Sequence, residues 1–186
     1  VTLTVTDTNG NVSTATAIVT VEDKVVPDAQ CKNITVQLDA SGNASISPSD
    51  IDNNSSDACG IASRSLNVSN FDCTNVGANT VVLTVTDING NTNTCNATVS
   101  VEDIVDPVAI CQDIIVQLDA SGNASVTTTD IDNGSSDNCA IASMSVSPNT
   151  FNCTNIGANT VTLTVTDING NVSTNVAEVT VEDTVN

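Results

Sequence analysis

The sequence predicts an all-β chain, a linear array of tandem antiparallel β-sandwich domains, on three observations. One segment occurs three times, at residues 1–23, 81–103 and 161–183, with the core TDTNGN at Thr6 and TDINGN at Thr86 and Thr166. The interval is 80 residues both times, and self-similarity at a fixed period marks a repeat architecture. Apolar and polar residues alternate with a period of 2, which marks half-buried strands. Turn signals recur at the roughly 8–12-residue spacing of a sandwich, and helix signals are missing throughout.

Residues 31–80 and 111–160 are copies of a second segment, aligned without a gap. The domains are therefore expected at 24–103 and 104–183. Residues 1–23 then form the closing hairpin of a preceding repeat, and 184–186 begin the next linker. A lone two-stranded hairpin is marginal in water. The 1–23 hairpin is thus expected to be completed either by a longer tandem array or by another chain.

Within a unit, Ile34, Val36 and Leu38 open a first strand. Residues 39–42 (DASG) form a turn into a strand at 44–47, and strands at 61–68 and 71–73 follow. Val81, Leu83 and Val85 alternate with Val82, Thr84 and Thr86, then Ala97, Val99 and Val101 with Asn96, Thr98 and Ser100. Asn89-Gly90 between them predicts a type I′ hairpin turn, with positive φ at both residues. Placed in order, these strands predict an immunoglobulin-like sandwich. The hairpin supplies strands F and G, and the segment after Cys31 or Cys111 supplies strand A, parallel to G.

The formal charge is −19, from 22 acidic residues against Lys24, Lys32 and Arg64, with no His. Such a surface repels nucleic acid and anionic membrane and attracts cations. At 39% hydrophobic residues in regular alternation the chain is not disordered by composition. No apolar run reaches the length of a membrane span, so no membrane insertion is expected. There is no Trp or Tyr, and the two Phe, Phe71 and Phe151, fall one to a unit. So thin a core needs staples, either disulfides or metal.

The cysteines fall at Cys31, Cys59, Cys73 and Cys95, then Cys111, Cys139 and Cys153. Without His or a CxxC pair, zinc is a poor fit, and disulfides in an oxidising compartment fit better. Cys95 lies in phase with inward Ala97 and Val99, and strand A starts from the same pole, so Cys31 is expected to pair with Cys95. Cys59 and Cys73 are 14 residues apart, read as one strand and its return, and are expected to pair; Cys139 and Cys153 repeat that spacing. Asn175 stands where a partner for Cys111 would be, which leaves Cys111 a free thiol.

Three acidic elements converge on the N-terminal pole of each sandwich. They are the F–G turn (Asp87, Asn89 and Asn91; Asp167 and Asn169), the loop after strand B (Asp50, Asp52 and Asp57; Asp130, Asp132 and Asp137) and the end of the preceding repeat (Glu22 and Asp23; Glu102 and Asp103). Oxygen-only ligands on flexible loops suit Ca²⁺, several of which are expected at the repeat junctions. DINGN alone is more often a turn, because Asp and Asn bond their own backbone. An EF-hand is excluded, since the twelfth residue from Asp87 is Thr98 rather than Glu. The DASGN segments are read as turns. The threonines Thr162, Thr164 and Thr166 are read as strand formers facing water.

The pattern P-x-x-x-C-x-x-I, then SSDxCG, then VGxNTVxLTVTDxNGNxxTCxATVxVED resembles the hyalin-repeat (HYR) domain. The likeness covers the whole chain and is most specific over 76–103. It is similar to the tandem copies in very large surface adhesins of gliding and marine bacteria exported by the type IX pathway. That resemblance implies immunoglobulin-like, non-enzymatic, extracellular modules serving as stalks or adhesive repeats. Ala140 replaces the Gly after the second cysteine, and Asn175 replaces the last one.

The function expected is a structural or adhesive segment of a large secreted cell-surface protein: a rigid, calcium-stabilised stalk or filament whose first partners are neighbouring repeats. Two alternatives compete. Repeats that bind surface glycans lack the Trp and Tyr platforms that stack on sugars. A filament subunit would complete its 1–23 hairpin with other chains. An enzyme is disfavoured, because no nucleophile–base constellation is present.

Overall fold

The computed structural model describes residues 1–184; Val185 and Asn186, in the expected linker, lie outside the described residues. The leading hairpin pairs β1 (Thr2–Thr6) with β2 (Val12–Thr16). The first unit contains β3 (Ile34–Gln37), β4 (Asn43–Ser45), a single helical turn α1 (Pro48–Ile51), β5 (Ile61–Leu66), β6 (Asn70–Asp72), β7 (Gly77–Asp87) and β8 (Thr92–Glu102). The second repeats it as β9 (Ile114–Gln117), β10 (Asn123–Ser125), α2 (Thr128–Ile131), β11 (Ile141–Ser147), β12 (Thr150–Asn152), β13 (Gly157–Asp167) and β14 (Val172–Glu182).

Each unit is a sandwich of a four-stranded and a two-stranded sheet. The larger sheet is ordered β3-β8-β7-β5 in the first unit and β9-β14-β13-β11 in the second; the smaller pairs are β4-β6 and β10-β12. All pairs are antiparallel except β3 with β8 and β9 with β14, where the first strand runs parallel to the last as expected. The period-2 pattern sets the packing: Val81, Leu83, Val85, Val99 and Val101 close on Ile46 and Phe71 from the opposite sheet, with Leu38 and Ile51 sealing the poles. The second core, from Leu118 to Val181, repeats it. Each fully buried Val or Leu contributes about 1.5–3 kcal/mol, so the long F and G strands carry most of the stability.

Two local expectations are corrected. Helical turns occur after β4 and β10, where Ser47 and Thr127 form capping boxes with Asp50 and Asp130 and drive Ile51 and Ile131 into the cores. The DINGN turn is not type I′. Among non-glycine described residues only Asn54 has positive φ, so at the hairpin tip the left-handed conformation is taken by Gly90 alone (φ 92°). Bonds from Gly90 N–H to Asp87 O and from Asp87 N–H to Asn91 O close a three-residue loop with a glycine bulge.

Strand direction defines the poles. β3, β5, β6 and β8 run from the N-terminal to the C-terminal pole, and β4 and β7 run back. The second unit stacks its N-terminal pole on the C-terminal pole of the first: Asn138 Nδ2 donates to Asp39 O at 3.3 Å, and Cys139 packs against the first core.

Candidate metal centre

At the seam between the two units, Asp103 ends the first, Asp137 lies in the loop after α2, and Asp167 ends β13. One carboxylate oxygen from each lies within 4.8 Å of the others. Strand phase explains the burial of Asp167. It follows Val161, Leu163 and Val165 at two-residue steps, so its side chain enters the sandwich end and is 2% exposed. Asp103 is 7% exposed.

Local bonds orient these carboxylates. Asp167 Oδ1 accepts the N–H groups of Asn169, Gly170 and Asn171, and Oδ2 accepts Asn171 Nδ2 at 2.7 Å. Burial pushes the Asp167 carboxyl up, but the bonds from Asn171, Asn169 and Gly170 outweigh it and hold the group below its usual value. Asp87 obeys the same balance through Asn91, Asn89 and Gly90. Asp137 Oδ2 accepts the N–H groups of Cys139 and Ala140, and Asp103 Oδ1 accepts Val105 N–H and Asn138 Nδ2. Asn171 Nδ2 also reaches Asp103 O at 3.2 Å, tying the F–G turn of the second unit to the end of the first.

What these bonds leave over decides the chemistry. Asp103 Oδ2, Asp137 Oδ1, Asn138 Oδ1 and Asn169 Oδ1 are buried with no hydrogen-bond partner among the described residues. A buried unpartnered oxygen costs about 1–3 kcal/mol. Three carboxylates with oxygens within 4.8 Å of one another repel when all are ionised. The carboxylate oxygens of Asp103, Asp137 and Asp167 gathered there, all hard donors, fit a divalent cation of the Ca²⁺ type.

The corresponding seam ahead of the first unit is less complete. Asp23, Asp57 and Cys59 bring ligand atoms together, and Asp23 Oδ2 is buried and unpartnered. Asn91 Nδ2 contacts Asp23 O, Val25 O and Asp87 Oδ2. The Asp23 carboxylate beside it pushes the Cys59 thiol above its usual value.

Other sequence-predicted ligands are engaged elsewhere. Asp50 and Asp130 accept the Ser47 and Thr127 N–H and hydroxyl in the capping boxes. Asp52 binds Ser55 N–H and forms an ion pair with Arg64 at 3.1 Å. Asp132 accepts the N–H groups of Ser135 and Gly134. Glu22 pairs with Lys24 on the surface, Glu102 points outward, and Asn89 is exposed. Asn138 was missed by the sequence reading, whereas Asn171 repeats Asn91 of the F–G turn. Asn138 occupies the Ala58 position of the first unit, and that substitution beside Asp137 was the available signal.

The disulfides revise the expected pairing. Cys31 bonds Cys95 as expected, and Cys111 is free. The Cys59–Cys73 and Cys139–Cys153 pairs do not form. Instead Cys73 bonds Cys139 across the seam, and Cys59 and Cys153 are free and exposed. The reason is direction. After β5 the chain crosses to the other sheet and β6 continues toward the C-terminal pole, so Cys59 and Cys73 lie at opposite ends of the unit, far beyond the roughly 4.4–6.8 Å Cα separation a disulfide needs. In the second unit, Asn175 holds the missing disulfide's place by donating Nδ2 to Ala109 O at 3.0 Å.

No protein-family model and no curated protein matches the chain. Among solved structures, Drosophila N-cadherin EC1-4 is similar at 14% identity and TM-score 0.46, over 86% of this chain and 50% of that one. Mouse clustered PcdhgC3 EC1-3 is similar at 13% identity and TM-score 0.39, over 98% and 76%. The Clostridium thermocellum CbhA fibronectin(III)-like modules are similar at 12% identity and TM-score 0.32, over 85% and 94%. The chain thus spans half the length of the N-cadherin fragment.

Proposed function

We propose that the chain is a structural or adhesive segment of an extracellular tandem array, with repeats bounded near 24–103 and 104–183, stiffened by Ca²⁺ at the junctions. One observation carries this reading: carboxylate oxygens of Asp103, from the first unit, and of Asp137 and Asp167, from the second, lie within 4.8 Å of one another at the seam, and Asp103 Oδ2 and Asp137 Oδ1 are buried with no hydrogen-bond partner among the described residues. The ion would be held by Asp103, Asp137 and Asp167, with Asn138 and Asn169 as neutral oxygens. It would cancel the repulsion of the three carboxylates and tie the end of one repeat to two loops of the next. Disulfides favour an oxidising, extracellular setting. No described helix is long and apolar enough to cross a membrane. The hyalin-repeat assignment and a non-enzymatic, stalk-forming role belong to this same reading, supported by the repeat motifs and the absence of His.

Thermal unfolding with Ca²⁺ and with EGTA tests it. A rise in midpoint with Ca²⁺, saturating at a fixed stoichiometry, is the expected result. An identical midpoint in both buffers sinks the junction site.

A second reading, self-assembly through the leading hairpin, has an observation of its own. Leu3, Val5, Val19 and Val21 are 57–91% exposed, whereas their counterparts Leu83, Val85, Val99 and Val101 are 0–1% exposed. The four further strands of a repeat, from another copy or from further sequence of the same chain, would cover that face. Sedimentation of the 186-residue chain over a range of concentrations separates the two: self-association favours another copy, and a strictly monomeric species removes it.

A further inference from the structure

The bond between Cys73 and Cys139 joins two different repeats, at a sequence separation of 66 and a Cα separation of 5.4 Å. The repeat period of 80 residues maps Cys73 onto Cys153 and Cys139 onto Cys59. Those two cysteines are free and exposed, one at each outer pole of the two-unit body. We infer that Cys153 and Cys59 are the two halves of the same inter-repeat disulfide: Cys153 bonds the counterpart of Cys139 in the repeat that follows, and Cys59 bonds the counterpart of Cys73 in the repeat that precedes.

The receiving surface is an independent observation. At the formed junction, Gly42 (φ +74°) leaves room for the incoming loop; a β-carbon there would lie 2.7 Å from Cys73 Sγ and 2.9 Å from Asn138 O. At the outer pole Gly122 has the same φ of +74°, and a β-carbon there would lie 2.8 Å from Cys153 Sγ. The 3₁₀ turns that present the two sulfurs, Cys73–Asn75 and Cys153–Asn155, are capped alike by Asp72 and Asn152. The Cys153 pole therefore has the shape of the Cys73 pole, with its glycine cradle open. Pairing of Cys153 with Cys139 inside the unit is excluded by the strand directions that separate Cys59 from Cys73.

The bond forms by thiol–disulfide exchange with a low-molecular-weight disulfide as oxidant. The Cys153 thiolate attacks one sulfur and expels a first thiolate, and the partner cysteine's thiolate then attacks Cys153 Sγ and expels the second. Two protein thiols become one disulfide, one small disulfide becomes two small thiols, and the two protons pass to the released thiolates.

The consequence is mechanical. In a fully bonded array the covalent path enters each repeat at the Cys59 position and leaves at the Cys73 position, through β5 and β6, which both point along the array. That path is 14 residue steps long, at most about 50 Å when extended. Without the bonds, tension can draw out all 80 residues of a repeat, about 270 Å. Strands F and G, with most of the core, then lie outside the load path.

This inference rests on the array reading but not on bound cation, so its test is run in EGTA. The 186-residue chain is extended after Asp183 by a further copy of residues 104–183, refolded in a glutathione buffer, alkylated and mapped without reduction. The expected result is a crosslinked peptide joining Cys153 to the appended copy of Cys139, with at least tenfold loss of alkylation at Cys153 and full alkylation at Cys59. The crosslink disappears in Cys153→Ser. Cys31–Cys95 and Cys73–Cys139 report folding, and a second version appending residues 24–103 serves if the first does not fold. Cys153 left fully alkylated beside a folded, docked new unit overturns the inference alone. A new unit that folds but does not dock overturns the array reading with it.

Discussion

Cys73 is bonded to Cys139 at the same seam where Asp103 meets Asp137 and Asp167. The two devices act on different states. In the chain-entropy picture, closing a loop of 66 residues lowers the entropy of the unfolded chain and contributes about 4 kcal/mol. The carboxylates act on the folded state, where they repel unless a cation lies among them. Breaking the disulfide loosens the seam whatever the ion; removing the ion loosens it only in the folded protein.

Substitutions at two aspartates separate ion binding from turn capping. Asp103→Asn removes a charge and a carboxylate oxygen from the seam and is expected to abolish the Ca²⁺-induced rise in unfolding midpoint. Without Ca²⁺ it leaves stability equal or higher, because one repulsion is gone. Asp130→Asn weakens the Thr127 capping box, whose carboxylate is held by the Thr127 N–H and hydroxyl. It lowers the midpoint in both buffers equally and keeps the Ca²⁺ shift. Calorimetry on the two variants reads both outcomes; equal Ca²⁺ shifts would remove Asp103 from the site.

The disulfide missing from the second unit can be restored. Leu163 faces Asn175 as Leu83 faces Cys95, and Cys111 bridges Asp132 as Cys31 bridges Asp52. Asn175→Cys is therefore expected to bond Cys111. The gain is about 4 kcal/mol from loop closure, less about 1 kcal/mol for the lost hydrogen bond to Ala109 O. For a unit of this size that raises the midpoint by on the order of 10 °C, reversed by reductant. Failure of the new pair to form would show that the strand entry at Cys111 differs from that at Cys31.

The strand pattern was readable because burial on a sandwich follows parity. Val81, Leu83, Val85 and Asp87 share one face, and the same rule that buries the three apolar residues also buries Asp87. The acidic seam was readable in part, since each of Asp103, Asp137 and Asp167 ends or follows an element whose direction the repeat dictates. Asp50 and Asp130 were not distinguished from ligands. Ser47 and Thr127 three residues earlier are the cap signature, but the helical turn is too short to show a period. The inter-repeat disulfide was hidden for a different reason. Spacing along the chain does not tell a return strand from one that changes sheets and keeps its direction, and that choice sends Cys73 to the next repeat.

Two alanine substitutions test how closely the seam is packed. Gly42→Ala and Gly122→Ala both force a side chain onto φ +74°, at about 1–2 kcal/mol each. Only at Gly42 does the β-carbon also meet Asn138 O, at 2.9 Å, displacing the loop that holds Asn138 and Cys139. Gly42→Ala should therefore increase alkylation of Cys73 and Cys139 after refolding, while Gly122→Ala leaves that pair formed. Mass spectrometry of the alkylated chains decides; equal effects would mean that backbone conformation alone matters.

Acid stability supplies the last test, because the two units carry an acid and an amide at the same 3₁₀ cap. Asp72 accepts the Thr74 N–H and hydroxyl at 2.8 and 2.6 Å, and Asn152 accepts the same groups of Thr154 at 2.9 and 2.6 Å. The Thr74 hydroxyl and N–H hold the Asp72 carboxyl below its usual value of 3.8. A carboxyl whose pKa is lowered on folding adds stability that is fully present above its unfolded value and is lost as pH falls through the folded one. Asp72→Asn keeps both acceptor bonds with a neutral oxygen, as Asn152 does. It should leave stability near neutral pH little changed and flatten the decline below about pH 4. Urea unfolding of wild type and variant between about pH 2.5 and 7 measures the difference. A variant whose stability falls with acid as steeply as the wild type would show that the Asp72 charge contributes nothing to the cap.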